Sequence, residues 1–428
     1  MCKFVMSLLE PEWEMLLFLP FCYVSLFSIK SHIQLPIISS NSSHSQRRHA
    51  PTGEWRQRNQ EQWRGEDRGS VRQEEGEIPE QQSKGAVPRG TCPTMCPAHE
   101  LQAREKQNRL HRFEILAGTE RYKRPTGDPL RAVKEYSRPA AGKDATNPIE
   151  LRPPAVLRKT VCYLIDEIAA SPNLHPWTEV YSFVFDRLRS VKQDMIIQRV
   201  SGLDCVSILE KTVRFLIYAS FRLCGEPLRL YDPRINDTHL QENLSWLFDC
   251  YEARTELHPN EEEFQALGLL YNLGSTLATQ HIVTLPKQLR STPAIKLALS
   301  INRAFLERNP VRLLRLTQKL NFLQCCALHR HLVTCRRDLL HIFSHGYSSR
   351  NCHFPLDRLA QLLFLDKSLT AQLCLDYGVE VSQGNHVIFS KAAFTEPEQG
   401  KVRCKLYHSI VAEKNKDLTV GSIINGFD

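Results

Sequence analysis

The sequence predicts a mainly α chain: an α-helical repeat of stacked hairpins ending in a winged-helix module, with a disordered N-terminal region. Three observations predict it. After Pro153-Pro154, apolar residues recur with helical spacing over successive segments of roughly 12–20 residues. The breaks between these segments are short and marked by Pro, Gly, Asn and Asp, without strand-like alternation. Residues 356–389 then read as two short helices followed by a hairpin.

The composition is that of an ordinary soluble protein: 428 residues, 42% hydrophobic and 24% charged. That length allows two domains or one extended array. The first 90 residues hold 11 Lys/Arg and 11 Asp/Glu, so the net charge of +8 lies wholly after them. A mildly basic body suits contact with nucleic acid or with acidic proteins. Of the 14 cysteines, Cys162, Cys205, Cys224, Cys250, Cys325, Cys335 and Cys374 fall inside helical patterns as small apolar residues. With no secretory signal before them, they predict free thiols in a reducing compartment.

Residues 1–38 are an apolar extension. Met15–Ile29 is an uncharged run of 15 residues with a proline inside, short of the roughly 20 that a membrane span needs. Glu10, Glu12 and Glu14 precede it against Lys3 alone, the wrong sign for a signal peptide. An extension contributed by an alternative start is expected, and no membrane contact. Residues 39–90, poor in aliphatics and rich in Arg, Glu, Gln, Gly and Ser, cannot bury enough surface to offset their ordering entropy and read as a disordered charged linker.

Residues 91–150 read as a strap docked on the body. In Thr91–Glu100, Cys92-Pro93 and Cys96-Pro97 stand four apart with His99 close behind. A tetrahedral metal site wants four ligands, and no second Cys/His pair follows at a usual spacing, so no metal is expected. The prolines stiffen an extended segment, and Glu100 opens a helix over 101–111. An irregular tract follows, punctuated by Arg138-Pro139 and Asn147-Pro148.

Residues 151–350 form the helical body. Leu157, Val161, Leu164, Ile165 and Ile168 keep one stripe behind the proline pair. In Phe183–Arg199, Val184, Leu188, Val191 and Met195 share a stripe, with Arg187, Asp194 and Gln198 along its edge and Arg189, Lys192 and Gln193 on the far side. Charges bordering a buried face need partners there. This helix is therefore expected to organise the fold by binding the flanking segments at 92–100 and 138–142. Helical periods return at 206–217 and 240–251, and then at 264–273, with Asn260 and Glu263 as a capping box. Further helices are expected over 294–305, 311–320 and 325–343. Residues 351–395 are the winged-helix cap, and 396–428 a C-terminal tail.

No glycine-rich phosphate loop, HExxH, GxSxG or kinase set is present in the sequence, so neither catalysis nor a cofactor is expected. Arg308, Arg312, Arg315 and Lys319 follow one helical stripe, and Arg336-Arg337 lie on the next helix. Combined with a winged helix, these six would make a phosphate-contacting surface.

Four segments together carry a resemblance: CPTMCPAHE (Cys92–Glu100), VKEYSRPAAGK (Val133–Lys143), LRPPAVLRKTVCYL (Leu151–Leu164) and DRLRSVKQDMIIQ (Asp186–Gln198). Their order and spacing resemble the SAC-three/GANP family over about residues 90–395. FQALGLLYNLGS (Phe264–Ser275) and the short length are similar to the small vertebrate members. The resemblance implies an α-helical repeat of PCI-type helical hairpins ending in a PCI-type winged helix, and a non-enzymatic scaffold. Its motif residues here are Cys92, Pro93, Cys96, Pro97, Glu100, Arg138, Pro139, Asp186, Arg187, Gln193, Asp194 and Gln198. Large members belong to the TREX-two messenger-RNA export complex at nuclear pores, pairing with another PCI protein and helping to grip nucleic acid. Small members are associated with centrosome duplication, the spindle and mitotic progression. The long extensions of the large members are not among these residues. A location at centrosome and spindle, in the cytoplasm, is expected, with the nucleus as the alternative.

Overall fold

Proline and short polar side chains set the helix starts. Pro154, Pro233, Pro293 and Pro310 stand in first turns, where the missing amide hydrogen has no helical partner to lose. Asp232, Ser275, Asn309, Asn321 and Asp366 accept backbone N–H groups at the N-caps. The structure, a computed structural model, describes residues 87–138, 147–253, 258–397, 411 and 413–426. The extension 1–38, the linker up to residue 86, Pro139 with the rest of tract 139–146, and tail residues 398–410 lie outside the described residues.

Helix α1 is Ala98–Lys106, starting earlier and ending earlier than the expected 101–111. Single 3₁₀ turns follow at Arg112–Glu114 and Pro148–Glu150. Then come α2 (Pro154–Tyr163), running on into a π-helical stretch at Leu164–Ala169, and α3 (Trp177–Ile197). The body continues through α4 (Gly202–Arg222), α5 (Pro233–Glu252), α6 (Glu261–Tyr271), α7 (Thr276–Thr284), α8 (Lys287–Arg290), α9 (Pro293–Leu306), α10 (Pro310–Thr317) and α11 (Phe322–Gly346). Helices α7 and α8 have no counterpart in the sequence pattern, because Ile282 is the one buried residue they contribute.

Packing is not confined to chain neighbours. Helix α4 touches α2, α3, α5 and α11, and α11 also packs on α6. Every residue of α4 from Val213 to Ala219 is buried. A one-sided surface helix would expose about half of them, so α4 is more enclosed than α3, to which the sequence pattern gave the organising role. The expected capping box at α6 does not form. Asn260 instead donates to Glu210 Oε2 at 2.8 Å, and Glu263 takes the Arg214 guanidinium at 2.7 and 2.8 Å. Satisfying the buried Arg214 and Glu210 outweighs a cap at a helix end that water can reach.

The last described helical hairpin meets a small cap. Strand β1 (His353–Pro355) leads into α12 (Leu356–Leu363) and α13 (Lys367–Asp376), then β2 (Glu380–Ser382) and β3 (His386–Ile388). The sheet is antiparallel in the order β1-β3-β2, with Val387 between Phe354 and Val381. Strand β1 is too short, with a proline at its end, to have left an alternating pattern. Phe343 of α11 meets Phe354 at 5.5 Å and Phe389 at 5.7 Å between ring centroids, so cap and body share one apolar core. A final short helix, α14 (Val420–Asn425), lies on α4 and the π-helical stretch.

Candidate functional site

The polar edge of α3 meets two interior ion clusters under the Cys-Pro segment. The first centres on Glu114. This carboxylate is fully buried and accepts from Arg104 Nη1 at 2.7 Å, from Arg187 Nη2 at 3.1 Å and from the Val133 amide at 2.9 Å. Arg104, also fully buried, donates from Nη2 to the Val133 carbonyl at 3.0 Å and to Cys96 Sγ at 3.1 Å. Arg187 further pairs with Asp186 at 2.5 Å and lies 4.7 Å over the Phe183 ring. Two guanidiniums on one carboxylate are balanced by the nearby Glu135 and Asp186.

The second cluster centres on Asp194. It accepts from Arg152 Nε at 2.7 Å and Lys134 Nζ at 2.8 Å. Arg152 also reaches Ser190 Oγ at 2.9 Å and the Met95 carbonyl at 3.3 Å, so it bridges α3 to the Cys-Pro segment. Lys134 donates to the Glu150 carbonyl at 2.7 Å. Gln198 accepts from the Gly90 amide and donates to the Arg152 carbonyl, each at 2.8 Å.

The remaining motif residues extend the same lattice. Gln193 donates to the Ser137 carbonyl at 2.9 Å, and Asp186 accepts from the Tyr136 amide at 3.2 Å. Glu100 accepts from the Glu135 amide at 2.8 Å. Cys92 and Cys96 are buried, Pro97 is buried, Pro93 and Arg138 are exposed. Burial pushes the Cys96 thiol up to about 12, so it is a neutral core group and not a thiolate ligand. Burial likewise raises the Glu100 carboxyl above the usual carboxylate range.

The contacts differ in detail from those expected of this helix. Asp194 meets the Cys-Pro segment through Arg152, and the helix also holds residues 134–137; of the 138–142 tract only Arg138 is among the described residues. Glu114, Arg104, Arg152, Lys134 and Ser190 carried no sequence signal as partners. Glu114 sits beside Phe113 in a chain stretch without helical period, and a charged residue there reads as solvated. Excess charge on the edge of α3 was the one available clue that buried partners had to exist.

The six basic residues expected at a phosphate surface do not form one set. Arg308, Arg312, Arg315 and Lys319 are exposed around α10, with Arg312 facing Glu307 at 3.4 Å. Arg336 is excluded from any such surface. It is 1% exposed and donates Nε to the Leu363 carbonyl at 3.0 Å, because its helix face turns into the junction with α12. Arg337 pairs with Glu396 and, at 2.9 Å, with Asp338.

The lattice thus joins the four segments that carry the sequence resemblance, through Arg104 and Glu114, which lie between the first two. The profile of the SAC3/GANP family matches residues 95–383. This chain belongs to the SAC3/GANP family. Among curated SAC3/GANP relatives, SAC3 family protein 1 of Schizosaccharomyces pombe is 29% identical over 362 residues, covering 79% of this chain and 35% of that protein. Protein xmas of Drosophila melanogaster is 28% identical over 355 residues, covering 79% and 16%. SAC3 family protein B of Arabidopsis thaliana is 27% identical over 267 residues, covering 59% and 15%. The chain therefore matches about a third or less of the length of each. In this SAC3/GANP chain the polar interior fixes the path of the N-terminal segments across α3. Among the described residues there is no cluster of three or more His, Cys, Asp or Glu side chains fit to hold a metal ion, and no helix long and apolar enough to cross a membrane.

Proposed function

We propose that this SAC3/GANP chain is a non-enzymatic scaffold that acts in centrosome duplication, spindle assembly and mitotic progression through protein partners. The observation that carries the scaffold reading is the use made of the motif residues. Arg187, Asp194, Gln193 and Gln198 bond to backbone and side chains of flanking segments, which builds a rigid surface and presents no reacting group. The centrosomal role is supported by the resemblance of Phe264–Ser275 to small members of the family. Imaging of the tagged full chain through the cell cycle tests it: enrichment at spindle poles is expected, and absence from the poles at every stage would remove the role.

A second reading is favoured by one observation, the exposure of Arg308, Arg312, Arg315 and Lys319 around α10. It makes the chain a subunit of a TREX-two-like export assembly in the nucleus. The strand–helix–helix–hairpin cap would act as a PCI-type winged helix against a PCI partner, with RNA along the basic face. Salt-titrated RNA binding separates the two readings, because phosphate contacts weaken steeply as salt rises. Affinity purification of the full chain adds the partner class, centrosomal proteins for the first reading and a small PCI protein for the second.

A further inference from the structure

Cys205 in the first turn of α4 and Cys250 in the last turn of α5 meet across the helical hairpin, with their Sγ atoms 3.8 Å apart. Two hydrogen bonds fix the register of this antiparallel pair. Tyr251, next to Cys250, donates to Glu210 Oε1 at 2.8 Å, and Asn236 donates to the Leu216 carbonyl at 3.1 Å. A disulfide holds its sulfurs about 2.05 Å apart, so each side chain has to move by only about 1 Å to close one. The backbone is already in place for it.

The two thiols differ in access. Cys205 is fully buried, whereas Cys250 is half-buried with Asp249 and Glu252 exposed beside it. Among the described residues neither thiol has another hydrogen-bond partner. A cysteine that only fills a core needs no route to solvent, and Cys250 has one. The hydrogen that Cys205 donates to Cys250 holds the Cys250 thiol below its ordinary value, against burial and the Asp249 carboxylate. The same bond, together with burial, pushes the Cys205 thiol up.

We propose that Cys205 and Cys250 are a peroxide-sensitive dithiol, Cys250 attacking and Cys205 resolving, whose disulfide clamps the start of α4 to the end of α5. The Cys250 thiolate attacks one oxygen of hydrogen peroxide, the O–O bond breaks, and a sulfenic acid forms as the other oxygen leaves as water. The Cys205 sulfur then attacks the sulfenic sulfur, the S–O bond breaks, and a second water leaves with the thiol proton. Two thiols are oxidised to one disulfide, and one peroxide is reduced to two waters. In a reducing compartment such a bond is transient, and thiol exchange restores the pair. The clamp acts on the most enclosed helix of the body, so it stiffens the scaffold itself; it goes beyond the scaffold reading and does not depend on a cellular role.

The full chain tests it, reduced, freed of reductant and exposed to a small excess of hydrogen peroxide at neutral pH. Alkylation and peptide mass spectrometry without reductant then read the products. A linked pair of peptides holding Cys205 and Cys250, lighter by two hydrogen atoms, is expected ahead of other crosslinks and is lost on adding dithiothreitol. The oxidised chain should unfold at higher urea than the reduced one, because the closed loop restricts the unfolded chain. Cys205→Ala removes the resolving thiol, so trapping of a Cys250 sulfenic acid by dimedone should rise about fivefold. Cys250→Ala should instead leave Cys205 unoxidised, an opposite pair of effects that unfolding, which exposes both thiols, cannot imitate. The proposal is overturned if both thiols stay open to alkylation after peroxide, or if either pairs as often with a third cysteine. It is equally overturned if the crosslinked chain unfolds at the same urea as the reduced one. None of these results bears on the spindle-pole imaging, so the two readings fail separately.

Discussion

At the residue scale, Asp194 and Arg187 border the same helix face but differ in what their loss strands. Asp194 is the carboxylate between Arg152 and Lys134, and Arg152 is fully buried. Asp194→Ala leaves that guanidinium enclosed without its counter-ion and should cost about 3–5 kcal/mol. Arg187→Ala leaves Glu114 still paired with Arg104 at 2.7 Å, so its cost should be smaller, about 1–3 kcal/mol. Chemical denaturation of both variants checks the order; equal losses would mean that the two clusters are not separate. Glu100 supplies a pH test. Burial raises its folded carboxyl above the ordinary value of 4.5, so its contribution is fully present below that pH and is lost as pH rises through the raised folded value. The melting temperature of the wild type relative to Glu100→Gln should therefore fall between acid and neutral pH. A constant difference would place the Glu100 carboxyl in solvent.

At the element scale, most helices were legible because a period of 3.6 apolar residues and a proline or polar cap coincide at their ends, as at Pro293 or Asn321. What escaped was structure held by partners distant in sequence. Glu114 is buried by Arg104, Arg187 and a strand-like segment around Val133, none of which its own neighbourhood predicts. Strand β1 exists only through β3, and α14 only through the surface it covers. Helix α14 buries Ile423 and Ile424, and its Asn425 donates to Asp166 at 2.8 Å and accepts from Lys211. It ends at Gly426, whose φ of 86° no side chain adopts readily and whose added Cβ would stand 2.7 Å from Arg214 Nη2. Gly426→Ala should therefore release the helix and speed hydrogen exchange over residues 420–425. Exchange unchanged from the wild type would show that α14 is held by its isoleucines alone.

At the scale of the whole molecule, the free thiols are native probes of how far the fold unfolds as one. Cys326 in α11 and Cys374 in α13 are both fully buried within the main apolar core, which runs without a break from body to cap. Cys96 belongs instead to a small satellite core with Leu101 and Ala132, tied to the body by the ion lattice. Ion pairs with removable partners open at lower cost than a continuous apolar core. In a urea series with pulsed thiol labelling, Cys326 and Cys374 should become reactive together and Cys96 at lower urea. Asp194→Ala should move the Cys96 midpoint further down while shifting the other two less. Simultaneous labelling of all three in both proteins would mean that the N-terminal segments are integral to the core and not straps laid over it. Labelling of Cys374 well before Cys326 would instead separate the cap from the body, against the contact of Phe343 with Phe354 and Phe389.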